Sequence, residues 1–130
     1  MRLAFAAAAA ALACSGPALA TGGIDCRPVR GAGPTLHLVI GHGVVPGLVS
    51  VRMTDGLSYN SGAERMGSRG LAIARSWLDE KLLWLDLADP DLTRFEGRLR
   101  ATFQPKLRGR PALGTFVRNG RRYAVRCVEG

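Results

Sequence analysis

Guanidinium groups dominate the chemistry this sequence can do. Arg94, Arg98 and Arg100 recur at even spacing, and so do Arg122 and Arg126 further along, both within stretches that read as extended backbone. Even spacing along a strand places side chains on one face. A planar guanidinium fork donates two parallel hydrogen bonds, which matches the oxygens of a carboxylate or a phosphate. Arg94, Arg98, Arg100, Arg122 and Arg126 are therefore the candidate anion-binding residues. Glu96, in the same row, offers them an internal partner.

The other constellations point away from catalysis. There is no G-x-S-x-G elbow, and His37 and His42 are not tied by spacing to a serine and an acid. A five-residue step along a strand sends the two imidazoles to opposite faces, and no third ligand stands near them to complete a metal site. His37 is expected as an exposed strand residue and His42 as a loop residue. Asp86, Asp89 and Asp91 lack the glycine and terminal glutamate of a calcium loop, so an aspartate capping its own turn is the expected role. Neither a metal nor a cofactor is implied. Trp77 and Trp84 fall in facing strands, where they can either form an exposed platform for stacking sugars or fill a core; core is the expectation.

The elements that must position these groups begin after a leader. Arg2 supplies a positive start, Leu3 to Ala13 an alanine-rich apolar run, and Ala18-Leu19-Ala20 a cleavage site of small residues. The run is shorter than the roughly 20 residues a bilayer requires. Residues 1–20 thus read as a secretory signal cut after Ala20, with lipid anchoring at Cys14 as the alternative. Residues 21–130 make a single domain. Loss of Cys14 with the leader leaves Cys26 and Cys127, which an oxidising compartment allows to pair. The expected location is periplasmic or secreted.

Charge is distributed unevenly along the chain. Without Arg2 the chain has 17 basic and 10 acidic residues, a net of +7. Residues 79–91 hold five acids against Lys81, whereas residues 92–130 hold nine arginines and Lys106 against Glu96 and Glu129. A basic outer surface in an exported protein meets anionic envelope lipid or glycan, or an acidic protein. Nucleic acid is not expected, because export removes it and no row of aromatic residues accompanies the arginines.

Strand signals run through the whole domain. Asn119-Gly120 is a strong hairpin turn, since a type I′ turn needs φ > 0 at both central residues. It sets the register of the terminal hairpin, with Phe116 facing Tyr123, Gly114 facing Val125 and Ala112 facing Cys127. Thr35–Ile40 alternates with Leu36, Leu38 and Ile40 inward, and Leu48–Thr54 returns with Val49, Val51 and Met53 inward. Strands are further expected at 24–29, 57–60, 71–78, 81–87 and 92–104. In the last of these, Phe95, Gly97, Leu99, Ala101 and Phe103 are placed on one side and Glu96 with the arginines on the other. The expected fold is all-β: a small antiparallel barrel or sandwich of seven to eight strands whose first and last strands are joined by a Cys26–Cys127 disulfide.

Ile24-Asp25-Cys26 ahead of an alternating strand, Cys127 on the last strand and an export signal together resemble the periplasmic inhibitors of C-type lysozyme. The resemblance implies a barrel fold and an inhibitory loop. That loop reads Ser-Gly-x-x-Tyr in the family, and Ser61 and Gly62 match its start, with Arg65 where the tyrosine belongs. The expected function is that of a non-catalytic binding or accessory protein of the cell envelope, contacting an anionic partner through the arginine face. The alternative expectation is an inhibitor of a lysozyme-like or other envelope or host enzyme, inserting a loop such as Ser61–Arg65, which begins with Ser61 and Gly62, or Gly41–Gly47 into its cleft.

Overall fold

The computed structural model describes residues 22–41, 47–61 and 68–130. The leader, the Cys14 alternative, His42 and Gly62 lie outside these residues. Among them ten strands form, rather than seven to eight: β1 (Gly22–Pro28), β2 (Thr35–Gly41), β3 (Gly47–Asp55), β4 (Leu57–Asn60), β5 (Ser68–Gly70), β6 (Ala72–Leu78), β7 (Leu82–Ala88), β8 (Phe95–Phe103), β9 (Ala112–Arg118) and β10 (Arg121–Glu129). β5 has three residues, too few to show alternation in the sequence, and exists through its parallel pairing with β4. Every other pairing is antiparallel.

The strands make one sheet in the order β5-β4-β3-β2-β1-β10-β9-β8-β7-β6, curled into a nearly closed barrel. Its two edge strands are consecutive in the chain, separated only by the buried Leu71, so the backbone itself holds one end of the seam together. Opposite the seam, β1 pairs with β10 and brings Cys26 level with Cys127, and the two are disulfide-bonded across 101 residues. This bond suggests an oxidising compartment. No helix among the described residues is long and apolar enough to cross a membrane.

Alternation decides what fills the barrel. Leu36 and Leu38 of β2, Leu83, Leu85 and Leu87 of β7, and Leu99 of β8 all point inward and are at most 3% exposed. The terminal hairpin has the expected register, and Asn119 (φ 51°) and Gly120 (φ 73°) both adopt the left-handed conformation its turn requires. At Gly114, β8 and β9 leave no room for a side chain. A Cβ there would run into the Arg100 carbonyl and lie 2.6 Å from Ala101 Cα. The missing side chain of Gly97 leaves room for the Phe116 ring.

Two bulges overturn the expected facing of particular residues. Between Val39 and Ile40 the pairing shifts so that Ile40 faces Leu48 and Val49 is the extra residue, which leaves Val49 64% exposed instead of inward. Between Leu87 and Ala88 it shifts so that Ala88 faces Phe95 and Glu96 is the extra residue. Phe95, expected inside, is consequently 51% exposed, and Glu96, expected outside, has a side chain only 11% exposed. A further correction concerns Trp77 and Trp84. They are cross-strand partners as expected, but they stand on the outer face at 57% and 40% exposure and not in the core.

Candidate functional site: an arginine and tryptophan face

The outer surface of β6 to β10 carries two parallel rows running across the strands. The pairing registers put Arg75, Asp86, Arg98, Val117 and Arg122 side by side in the first row, and Trp77, Trp84, Arg100 and Thr115 in the second. Antiparallel pairing produces this order without any further device, because directly opposed residues share a face. A groove of about 500 Å³ opens over the β8–β10 part of these rows, lined by Phe95, Arg98, Arg100, Thr115, Val117 and Arg122, and Trp84 and Trp77 continue the second row beyond it.

Three of the five candidate arginines thus converge. Asp86 is the carboxylate that holds two of them, its Oδ1 accepting from Arg98 Nε at 3.1 Å and its Oδ2 from Arg100 Nη2 at 3.3 Å, with Arg100 Nη1 2.9 Å from Oδ1 as an ion pair. Burial pushes the Asp86 carboxyl pKa up, but the hydrogen bonds from Arg100 and Arg98 outweigh it and hold the group below the usual carboxylate value. Asp86 therefore stays charged at neutral pH and fixes both forks. Arg122 has no ion-pair partner among the described residues. Three guanidinium groups against one carboxylate leave the groove cationic.

Aromatic rings set the positions of the cations. The Arg100 guanidinium carbon lies 5.2 Å from the Trp84 ring centroid, and that of Arg98 lies 5.7 Å from the Phe95 ring. Arg100 also donates to the Leu99 carbonyl at 2.8 Å. Trp77 is fixed from the other side, its indole N–H donating to Asp79 Oδ2 at 2.9 Å. Asp79 in turn accepts from the backbone N–H groups of Lys81 and Leu82, each at 2.7 Å, and so shapes the β6–β7 turn. The Trp77 hydrogen bond, with those two backbone donors, holds the Asp79 carboxyl pKa down.

The remaining predicted residues stand apart from the groove. Arg94 precedes β8 and pairs with Glu96 at 2.9 Å, while Arg126 lies on β10 between Leu113 and Arg27. Ser61 is taken up by the fold, its hydroxyl accepting from the Val51 N–H at 2.7 Å and its own N–H donating to the Val51 carbonyl at 3.0 Å. Asp89 caps its own turn, as expected, by accepting from the Thr93 and Arg94 N–H groups at 2.8 and 2.7 Å.

Several contacts were not foreseen from the sequence. Phe95 lines the groove and Arg75 stands in the first row beyond it, yet neither was a candidate. His37 Nδ1 lies 2.7 Å from Asp25 Oδ1, a pair that β1–β2 register creates between residues twelve apart. At the end of the barrel Arg118 is 5% exposed, with Nε donating to Asp55 at 2.8 Å, Nη1 to Glu96 Oε2 at 2.9 Å, and its guanidinium 4.8 Å from the Tyr59 ring centroid. A signal for Arg118 was available: it shares the inward parity of Ala112, Gly114 and Phe116.

Fold and site together define a nearly closed, disulfide-bonded β-barrel with a cationic, aromatic-edged outer face. No protein-family model, no curated protein and no solved structure matches the chain.

Proposed function

We propose that this protein is a non-catalytic binding protein of the cell envelope, periplasmic or secreted, that contacts an anionic partner through Arg98, Arg100 and Arg122. The observation that carries the reading is the convergence of those three side chains on one groove beside a single carboxylate. Two of them are already fixed by Asp86 and by aromatic rings, so little rotamer freedom remains to be lost when an anion binds. The disulfide supports the compartment, and the leader read from residues 1–20 agrees with it.

Binding of the purified protein to vesicles of phosphatidylglycerol and to an immobilised polyanion tests this. Affinity falls as salt is raised. In Arg98→Ala/Arg100→Ala/Arg122→Ala, three exposed contacts of about 0.5–1 kcal/mol each are lost, which weakens binding roughly 10- to 100-fold at low salt. Unchanged binding by a triple variant that melts like the parent refutes the proposal.

A further inference from the structure

The tryptophans narrow the class of anion. We propose that the groove's ligand is an acidic polysaccharide, a chain of carboxylate-bearing sugar rings laid across the strands from Trp77 to Arg122; this rests on the anion-binding reading above.

Trp77 and Trp84 are the chain's only tryptophans, and both are outward and exposed although β7 alone buries three leucines. They do not lie loose on that surface. Asp79 orients Trp77, and Arg100 stacks on Trp84. The row therefore passes without a break from indole rings to a guanidinium to the Thr115 hydroxyl, with Arg98, Phe95 and Arg122 beside it. Five neighbouring strands at about 4.8 Å spacing span about 19 Å, and two rows two residues apart are about 7 Å wide.

That footprint is long, narrow and chemically mixed. An isolated phosphate or a lipid headgroup would use the guanidinium forks and leave the indole row unused. A sugar ring presents a flat face of C–H groups that packs on an indole, and a carboxylate on the ring fits a guanidinium fork. An acidic sugar chain thus uses the rings and the charges at once. An acidic peptide could satisfy the charges but has no flat rings to set against Trp77 and Trp84.

Because both tryptophans lie in the strip, tryptophan fluorescence, excited selectively over Tyr59 and Tyr123, reports on this surface alone. Titration with an oligogalacturonate is expected to shift or quench the emission saturably, and less at high salt. Trp77→Ala and Trp84→Ala each weaken this binding about fivefold, read by calorimetry, without lowering the melting temperature. Trp77→Phe/Trp84→Phe, which keeps flat rings, binds within about twofold of the parent. Phosphatidylglycerol vesicles bind Trp77→Ala as they bind the parent, whereas Trp84→Ala, which also frees Arg100, binds them more weakly.

Oligogalacturonate binding that is equal in parent and Trp77→Ala/Trp84→Ala overturns the sugar assignment and leaves the anion reading standing. So does a polyglutamate that moves the emission as strongly as the sugar chain. Emission that follows protein concentration instead of added ligand identifies the strip as a self-association surface and overturns the assignment as well. If neither the sugar acid, the vesicles nor polyglutamate binds the parent at low salt, the anion-binding reading fails with it.

Discussion

Replacing Arg118 with methionine tests the reasoning about the barrel's interior most directly. Arg118 is 5% exposed and holds Glu96, whose side chain is 11% exposed, together with the more open Asp55. Methionine matches much of its stem volume but leaves the Glu96 carboxylate, turned inward by the β8 bulge, with only the exposed Arg94 as a partner. Breaking a buried ion pair by removing one member costs about 3–5 kcal/mol. For a domain of this size that lowers the melting temperature by about 12–20 °C, at roughly 4 °C per kcal/mol.

The same variant makes a prediction about pH. In the parent, burial raises the Glu96 carboxyl pKa, but the hydrogen bonds from Arg118 and Arg94 outweigh burial and hold it below the usual 4.5. A depressed folded-state value means the pair contributes stability above pH 4.5 that is lost as the pH falls through the folded value. In Arg118→Met burial goes largely uncompensated and Glu96 titrates higher, so protonation relieves the variant while it harms the parent. The gap in melting temperature should narrow on acidification from about pH 7 to about pH 3. Calorimetry at several pH values measures it. A variant melting within about 2 °C of the parent, or a gap that does not change with pH, refutes the argument.

Other perturbations have equally definite outcomes. Gly114→Ala places a methyl group into the Arg100 backbone, so β8 and β9 must separate; destabilisation of about 3 kcal/mol or more, seen as a lowered denaturant midpoint, is expected. Reduction of the disulfide, or Cys26→Ser/Cys127→Ser, frees a loop of 101 residues and lowers stability by up to about 4.7 kcal/mol while the pairing of β1 with β10 persists in the folded fraction. Asp86→Asn removes the carboxylate that competes for Arg98 and Arg100, and the affinity for phosphatidylglycerol vesicles should rise about two- to fivefold. A fall in affinity would show that Asp86 orients the forks more than it occupies them.

Much of the fold was legible because its determinants are local. Asn119-Gly120 sets a turn whose geometry dictates every pair in the β9–β10 hairpin, and the alternation of Leu83, Leu85 and Leu87 with Trp84 and Asp86 marks two faces of β7. That second pattern also placed Trp84 beside a charged residue and outside the core, a signal outweighed in the expectation by the size of the indole. Grouping Arg98, Arg100 and Arg122 needed only parity and a shared sheet. Leaving Arg94 and Arg126 out of the group needed the distances along and across that sheet.

By itself, then, the order of residues determined most of the strands but not β5, and with them the turn-set registers, the pair of cysteines and the basic outer face. Tertiary structure decided where the ladder slips. A bulge adds one residue to one strand, and since side chains alternate with period two, that single residue reverses the facing of what lies beyond it, sending Phe95 out and Glu96 in to Arg118. It also decided that the barrel's two edge strands meet around Leu71, and that an indole pair on the outside adjoins the arginines. Such contacts depend on which distant strands become neighbours, and no local propensity encodes that.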